Sequence, residues 1–159
     1  MSNHKATTAC SMQGTWPDGT TWKYYEGGNF THLSPQAAFG IYVRHNAILL
    51  TQNQRGWDIP GGTKEDFETI RETMVREVLE EGGLIVTSEK PIGYLLISLP
   101  NTDGKEVCVA GYMVETTMPL QAITGTECKG AKLCDLNGDE CKSSAKQPLI
   151  NFILRDYNS

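Results

Sequence analysis

Apolar side chains in this chain fall mostly into short runs bounded by glycine, proline and asparagine, with two stretches where their spacing changes to three and four. Thr15-Trp16-Pro17-Asp18-Gly19-Thr20-Thr21-Trp22 sets aromatic, β-favouring flanks around a Pro-Asp-Gly turn and predicts a hairpin. Residues 37–43 and 47–51 are apolar runs separated by Arg44-His45-Asn46, and read as a pair of strands. Trp57-Asp58-Ile59-Pro60-Gly61-Gly62 suits neither strand nor helix and is expected to be a tight loop. From about residue 66 to 81 the period becomes helical, with Phe67, Ile70, Met74 and Val78 on one stripe, and Gly82-Gly83 ends it.

Beyond that helix the pattern is strand-like again. Residues 92–98 and 107–115 flank Pro100-Asn101-Thr102-Asp103-Gly104, a second hairpin, and residues 131–136 form a weaker strand candidate. Pro148 followed by Leu149, Ile150, Phe152, Ile153 and Leu154 predicts a C-terminal amphipathic helix with proline in its first turn. Strands on both sides of a central helix, closed by a second helix, give an α/β class with a mixed sheet covered by helices.

Composition narrows the class. A chain of 159 residues fits one core, and net charge −5 without a Lys/Arg cluster gives none of the basic footprint of a nucleic-acid binder. No apolar run is long enough for a bilayer, and residues 1–13 are polar, expected to fray, and lack a signal peptide's hydrophobic stretch. The five cysteines, Cys10, Cys108, Cys128, Cys134 and Cys141, match no zinc spacing. They are expected to be buried or partly buried free thiols in a reducing cytoplasm.

The central helix carries the candidate chemistry. At 100° per residue, Glu77, Glu80 and Glu81 fall within an arc of about 100° beside the apolar stripe. Glu77 and Glu81 are like charges at i,i+4, and all three crowd the end of the helix where its dipole favours cations. Arg76 is the only basic residue within reach. Such a cluster suits a hard, oxygen-seeking cation, Mg²⁺ or Mn²⁺, although a Glu-rich face that is merely solvated has the same composition.

Spacing separates these alternatives. Gly62, five residues, Glu68, seven residues, then Arg76-Glu77-Val78-Leu79-Glu80-Glu81-Gly82-Gly83-Leu84 matches the Nudix box at every specified position. From average residue usage, such a match arises by chance less than about once in a million chains of this length. The chain therefore resembles the Nudix hydrolases, MutT-like members included. That resemblance implies an α/β/α sandwich, a mixed β-sheet between helices, over residues 35–159, with residues 1–34 an N-terminal extension carrying the first hairpin. It implies metal binding by Glu77, Glu80 and Glu81, and by the Gly61 carbonyl. By the same resemblance Arg76 orients the box carboxylates and Glu68 is its partner, while Gly62 and Gly83 serve loop geometry. Glu127, in a polar loop, is the candidate for an additional acidic ligand or base, with Glu115 and Asp103 as competitors; Glu77 is the other candidate base.

The activity implied is cleavage of a pyrophosphate bond in a nucleoside diphosphate derivative, by water activated on Mg²⁺, with Mn²⁺ as a substitute. Tyr42, Trp57, Tyr94 and Tyr112 are candidates to stack a base, although each is more commonly a core residue, and Arg44 and Arg55 could meet a phosphate. The compact chain resembles MutT-type nucleoside triphosphate pyrophosphohydrolases, which favours a (d)NTP over ADP-ribose or a nucleotide sugar. A non-catalytic nucleotide-sensing module is the competing reading, and the retention of every box glutamate weighs against it. The expected partner is a nucleotide, with neither nucleic acid nor membrane. The hairpin around Trp16 and Trp22 is expected either to form a homodimer contact or to cover the nucleotide pocket.

Overall fold

The computed structural model describes residues 9–125 and 130–157. Its first hairpin, β1 (Met12–Thr15) and β2 (Thr21–Glu26), forms around Pro17-Asp18-Gly19 as the sequence predicts. The Trp16 N–H donates to Thr20 O at 2.8 Å, and Asp18 Oδ1 accepts from the Thr20 N–H at 2.9 Å. β2 also pairs with β8 (Ser88–Ser98), so the hairpin extends the main sheet. β8 pairs in turn with β9 (Glu106–Glu115) across the second predicted hairpin. Its neighbour β3 (Ala37–Ile41) runs parallel to β9, and β7 (Gly61–Thr63) closes the other edge. That parallel pair in an otherwise antiparallel sheet makes the six-stranded sheet mixed.

A smaller sheet holds β4 (Val43–Arg44), β5 (Ala47–Asn53), β6 (Gly56–Asp58) and β10 (Ala131–Asp135). Here the structure corrects two expectations. Residues 37–43 and 47–51 are not simply partners: only Val43 and Arg44 pair with Ile48 and Ala47, because the chain changes sheets at Tyr42 and β3 goes to β9. The expected loop at residues 57–62 is two short strands, β6 and β7, which belong to different sheets with Ile59-Pro60 between them. Pro60, which has no N–H to donate, lies just outside both strands, and its carbonyl accepts from the Gly40 N–H at 3.1 Å.

The central helix α1 covers Ile70–Gly82, starting later than the apolar period predicts. Thr69 caps it: its side chain accepts from the Glu72 N–H, and the Glu72 carboxylate accepts from the Thr69 N–H, both at 3.1 Å. Phe67 consequently lies outside the helix and is 84% exposed, not part of the core stripe. Gly83 ends the helix at φ 67°, and its N–H donates to Leu79 O. Met74 and Val78 are fully buried with Ala38, Ala110, Tyr112 and Val114 on one face of the main sheet.

The opposite face presents Tyr24, Phe39, Ile41 and Leu95 to Ile48 and Leu50 of β5 and to Leu149 and Ile150. The last two lie on α4 (Gln147–Ile153), the predicted C-terminal helix, which carries Pro148 in its first turn. Two short helices, α2 (Leu120–Gly125) and α3 (Asp139–Ser143), carry no periodic signal at that length and are not predicted by the apolar pattern. Helices thus cover both faces of a mixed sheet, as predicted. Cys108, Cys134 and Cys141 are buried free thiols, and burial pushes Cys108 and Cys134 up to about 11. Cys10, expected to be at least partly buried, is exposed in the segment before β1. Residues 1–8, Glu127 and Cys128 lie outside the described residues. Among the described residues no helix is long and apolar enough to cross a membrane.

Candidate metal and nucleotide site

The site begins with one arginine. Arg76, halfway along α1, makes a two-pronged pair with Glu68: Nε to Oε2 at 2.6 Å and the guanidinium NH2 to Oε1 at 2.9 Å. Its remaining amine donates to Glu77 Oε1 at 2.7 Å and Glu80 Oε2 at 3.2 Å. A planar guanidinium has enough fixed donors to hold three carboxylates at once, which a lysine does not. Glu68 is itself buried and also accepts from the Glu65 N–H at 2.9 Å and the Thr73 hydroxyl at 3.1 Å. Arg76 and these donors hold the Glu68 carboxyl down at about 2. Arg76 is in turn pushed above its ordinary value, chiefly by Glu68.

The metal-binding candidates sit around that anchor. Glu77 is nearly buried and lies against β7: a Cβ added to Gly62 would stand 2.5 Å from Glu77 Oε1. Glycine at position 62 is therefore a matter of space for a carboxylate. Glu81, one turn further, accepts from the Gly61 N–H at 3.2 Å. Partial burial raises its carboxyl, the Gly61 N–H opposes the rise, and the negative charges of Glu77 and Asp58 add to it. Glu80 is more than half exposed. Strand β7 and the last two turns of α1 thus bring backbone of Gly61 and Gly62 against two carboxylates, with the third at the solvent side.

Among the described residues no group of three or more His, Cys, Asp or Glu side chains converges closely enough to hold a metal ion. The donors are all oxygen, they are anionic, and Arg76 only partly offsets their charge. A hard divalent cation that keeps part of its water shell fits such an open set. Residues expected to contribute from elsewhere are not all brought here. Glu115 and Asp103 lie at the far end of β9 and in the β8–β9 turn. Tyr112 lies in the core, buried on the α1 face and edge-on to Phe30 at 5.5 Å between centroids. Tyr42 is buried in the same cluster, and Tyr94 stacks on Tyr25 at 4.9 Å. Arg44 is on β4, away from the cleft that starts at Gly61.

That cleft opens from Gly61 and Gly62 across the sheet face opposite α1. Its inner part, about 190 Å³, is floored by Phe39, Leu95, Ile97 and Val109. Its outer part, also about 190 Å³, runs out between Pro17 and Trp57. Trp16, Arg55, Asp58 and Lys146 border both parts. Asp58 and Lys146 form an ion pair, and the Lys146 Nζ stands 5.2 Å from the centre of the Trp16 ring. Of these, the sequence points to Arg55 and Trp57 as a substrate surface and, as one of two alternatives, to the hairpin of Trp16 as a cover for the pocket, but not to Asp58 and Lys146. Asp58 stands four residues before Gly62, where the box spacing begins, and that position is its one signal within the sequence. Lys146 has none.

Comparison with known proteins agrees with the fold. A family model, the NUDIX domain, matches residues 34–138. An ADP-ribose pyrophosphatase of Methanocaldococcus jannaschii is 30% identical over 112 residues, covering 67% of this chain and 65% of its own length. The chain thus spans about two thirds of that relative. Among solved structures, the Bacillus subtilis pyrophosphohydrolase BsRppH superposes with a TM-score of 0.70 at 20% identity, over 92% of this chain and 96% of its own. The NUDIX domain of Shewanella oneidensis NrtR, solved with ADP ribose, gives 0.56 at 12% identity over 82% and 94%. At those identities the two structures speak for the fold alone. Fold, box geometry and family match coincide, and the chain belongs to the NUDIX domain family.

Proposed function

We propose that the protein hydrolyses the diphosphate linkage of a nucleoside diphosphate derivative, with Mg²⁺ held by Glu77, Glu80, Glu81 and the Gly61 backbone. The observation that carries this reading is the crowding of Glu77 and Glu81 against the glycine backbone of β7, with the Arg76 guanidinium bonded to Glu77. A bound divalent cation supplies Lewis-acid charge neutralisation and a water of lowered pKa. The chain's part is positioning: Glu68 fixes Arg76, Arg76 fixes Glu77 and Glu80, and the Gly61 N–H fixes Glu81. Glu77 or Glu127 takes the proton from the attacking water.

For the leaving group, the relative named ADP-ribose pyrophosphatase supports an ADP-ribose-type diphosphate. A (d)NTP is the second reading, and both belong in the same assay. Product release is measured across ADP-ribose, nucleotide sugars and (d)NTPs, with Mg²⁺ and with chelator. Magnesium-dependent release from at least one of them is expected, and Glu81→Gln, which removes a proposed metal ligand, is expected to abolish most of it. Tight nucleotide binding with no turnover at any Mg²⁺ or Mn²⁺ concentration would instead establish a sensing module.

A further inference from the structure

The chain carries net charge −5, yet the cleft that begins at Gly61 and Gly62 is bordered by two cations. Its floor is apolar. Apart from the buried indole N–H of Trp16, the polar side chains lining its inner part among the described residues are Arg55, Asp58 and Lys146. No Ser, Thr, Asn or Gln side chain is among them. A sugar, whose hydroxyls both donate and accept, finds few partners there, whereas a phosphate finds two charged donors.

Lys146 is the better placed of the two. Its backbone is fixed just before α4: its N–H donates to Ser144 Oγ at 3.2 Å, and its carbonyl accepts from the Ile150 N–H at 2.9 Å. Its side chain is 23% exposed, and its ammonium pairs with Asp58 and lies over the Trp16 ring. An ammonium has three donors, and Asp58 takes one of them. Asp58 has other partners as well, the Ile59 N–H at 2.7 Å and Asn53 Nδ2 at 3.4 Å, so it is not orphaned when Lys146 turns to a ligand. The charges of Lys146 and Asp58 both act on Glu81, which puts the ammonium within electrostatic reach of the metal-binding candidates. Arg55 lines both parts of the cleft, and its guanidinium makes no hydrogen bond within the described chain.

We propose that Lys146, with Arg55, is a specificity-determining residue that binds a phosphate of the substrate beyond the linkage that is cut. The preferred substrate class is then a nucleoside triphosphate, not a diphosphate closed by a neutral sugar. The assignment rests on the diphosphate reading above, which puts the metal-bound linkage beside Gly61 and Gly62, where the cleft starts. Asp58 keeps the ammonium at the border of the cleft and is a positioning residue. Arg55 is exposed, so salt screens it and its share is the smaller.

Calorimetric titration with Mg²⁺ present tests this without turnover. The probes are α,β-methylene-ADP and α,β-methylene-ATP, which share a base and differ by one terminal phosphate; both are checked for integrity afterwards. Wild type is expected to bind the triphosphate about tenfold or more tightly than the diphosphate, the worth of a hydrogen bond to a charged group. Lys146→Met should remove most of that difference and leave the diphosphate within about twofold. Arg55→Met should remove a smaller part, Lys146→Arg should retain some of it, and Asp58→Asn should keep it. Equal affinity of wild type for the two probes, or binding of neither, would overturn the proposal. So would an unchanged ratio in Lys146→Met, or equal losses for both probes in it, which mark a structural role. The expected ratios without metal-dependent turnover would contradict the diphosphate reading and leave Lys146 a phosphate-binding residue.

Discussion

At the scale of single residues, Arg76 and Glu68 organise the site. Glu68 has its carboxyl lowered from 4.5 to about 2 by Arg76, the Glu65 N–H and the Thr73 hydroxyl. A carboxylate whose folded value is depressed stabilises the protein above its unfolded value and loses that contribution as pH falls through the folded one. Stability is therefore expected to decline between about pH 4.5 and 2 with one proton taken up at Glu68. In Glu68→Gln the slope of unfolding free energy against pH should be shallower by that proton; an unchanged slope would show that Arg76 does not hold Glu68 this way. Gly62 makes a second residue-level case. Gly62→Ala places a methyl group 2.5 Å from Glu77 Oε1, so Glu77 must leave its position. Turnover should fall by more than about tenfold while the melting temperature changes little, because β7 is an edge strand and the clash is with a side chain. Wild-type turnover in Gly62→Ala would mean that Glu77 does not need its observed position.

At the scale of elements, α1 is set by its ends as much as by its apolar face. The cap at Thr69 and the left-handed Gly83 fix where the helix starts and stops, and hence which turn faces β7. Thr69→Ala removes the side-chain acceptor and is expected to cost about 1 kcal/mol in chemical denaturation. A change within error would mean that burial of Met74 and Val78 alone defines the helix. The Thr69-x-x-Glu72 signature of this cap is present in the sequence, but the apolar period running on through Phe67 masks it. Periodicity reports what could be buried, whereas the cap decides where the backbone turns. The run at residues 37–43 behaves similarly. Its apolar character marks a strand correctly, but nothing in it marks Tyr42 as the point where the chain passes from one sheet to the other.

Across the whole molecule, legibility depends on how far apart in the chain the contributing residues lie. Glu77, Glu80 and Glu81 share one helix, so their common arc follows from helical geometry, and their link to Gly62 comes with the box spacing. The pairing of Arg76 with Glu68 is implied by resemblance and is present as two hydrogen bonds. By contrast, Trp16, Asp58 and Lys146 meet only because β2 pairs with β8 and α4 packs beneath the sheet, contacts that no local pattern encodes.

The central claim is that the carboxylates of α1 hold the divalent cation on which hydrolysis depends. The most direct test follows Mn²⁺ binding by electron paramagnetic resonance together with ADP-ribose and (d)NTP turnover, in wild type and in Glu77→Gln, Glu80→Gln and Glu81→Gln. The account predicts that Mn²⁺ affinity and turnover fall together in each variant, with melting temperatures near wild type for Glu80→Gln, whose side chain is largely exposed. A protein with all three substitutions that remained folded, bound Mn²⁺ as wild type does and turned over substrate unimpaired would contradict it.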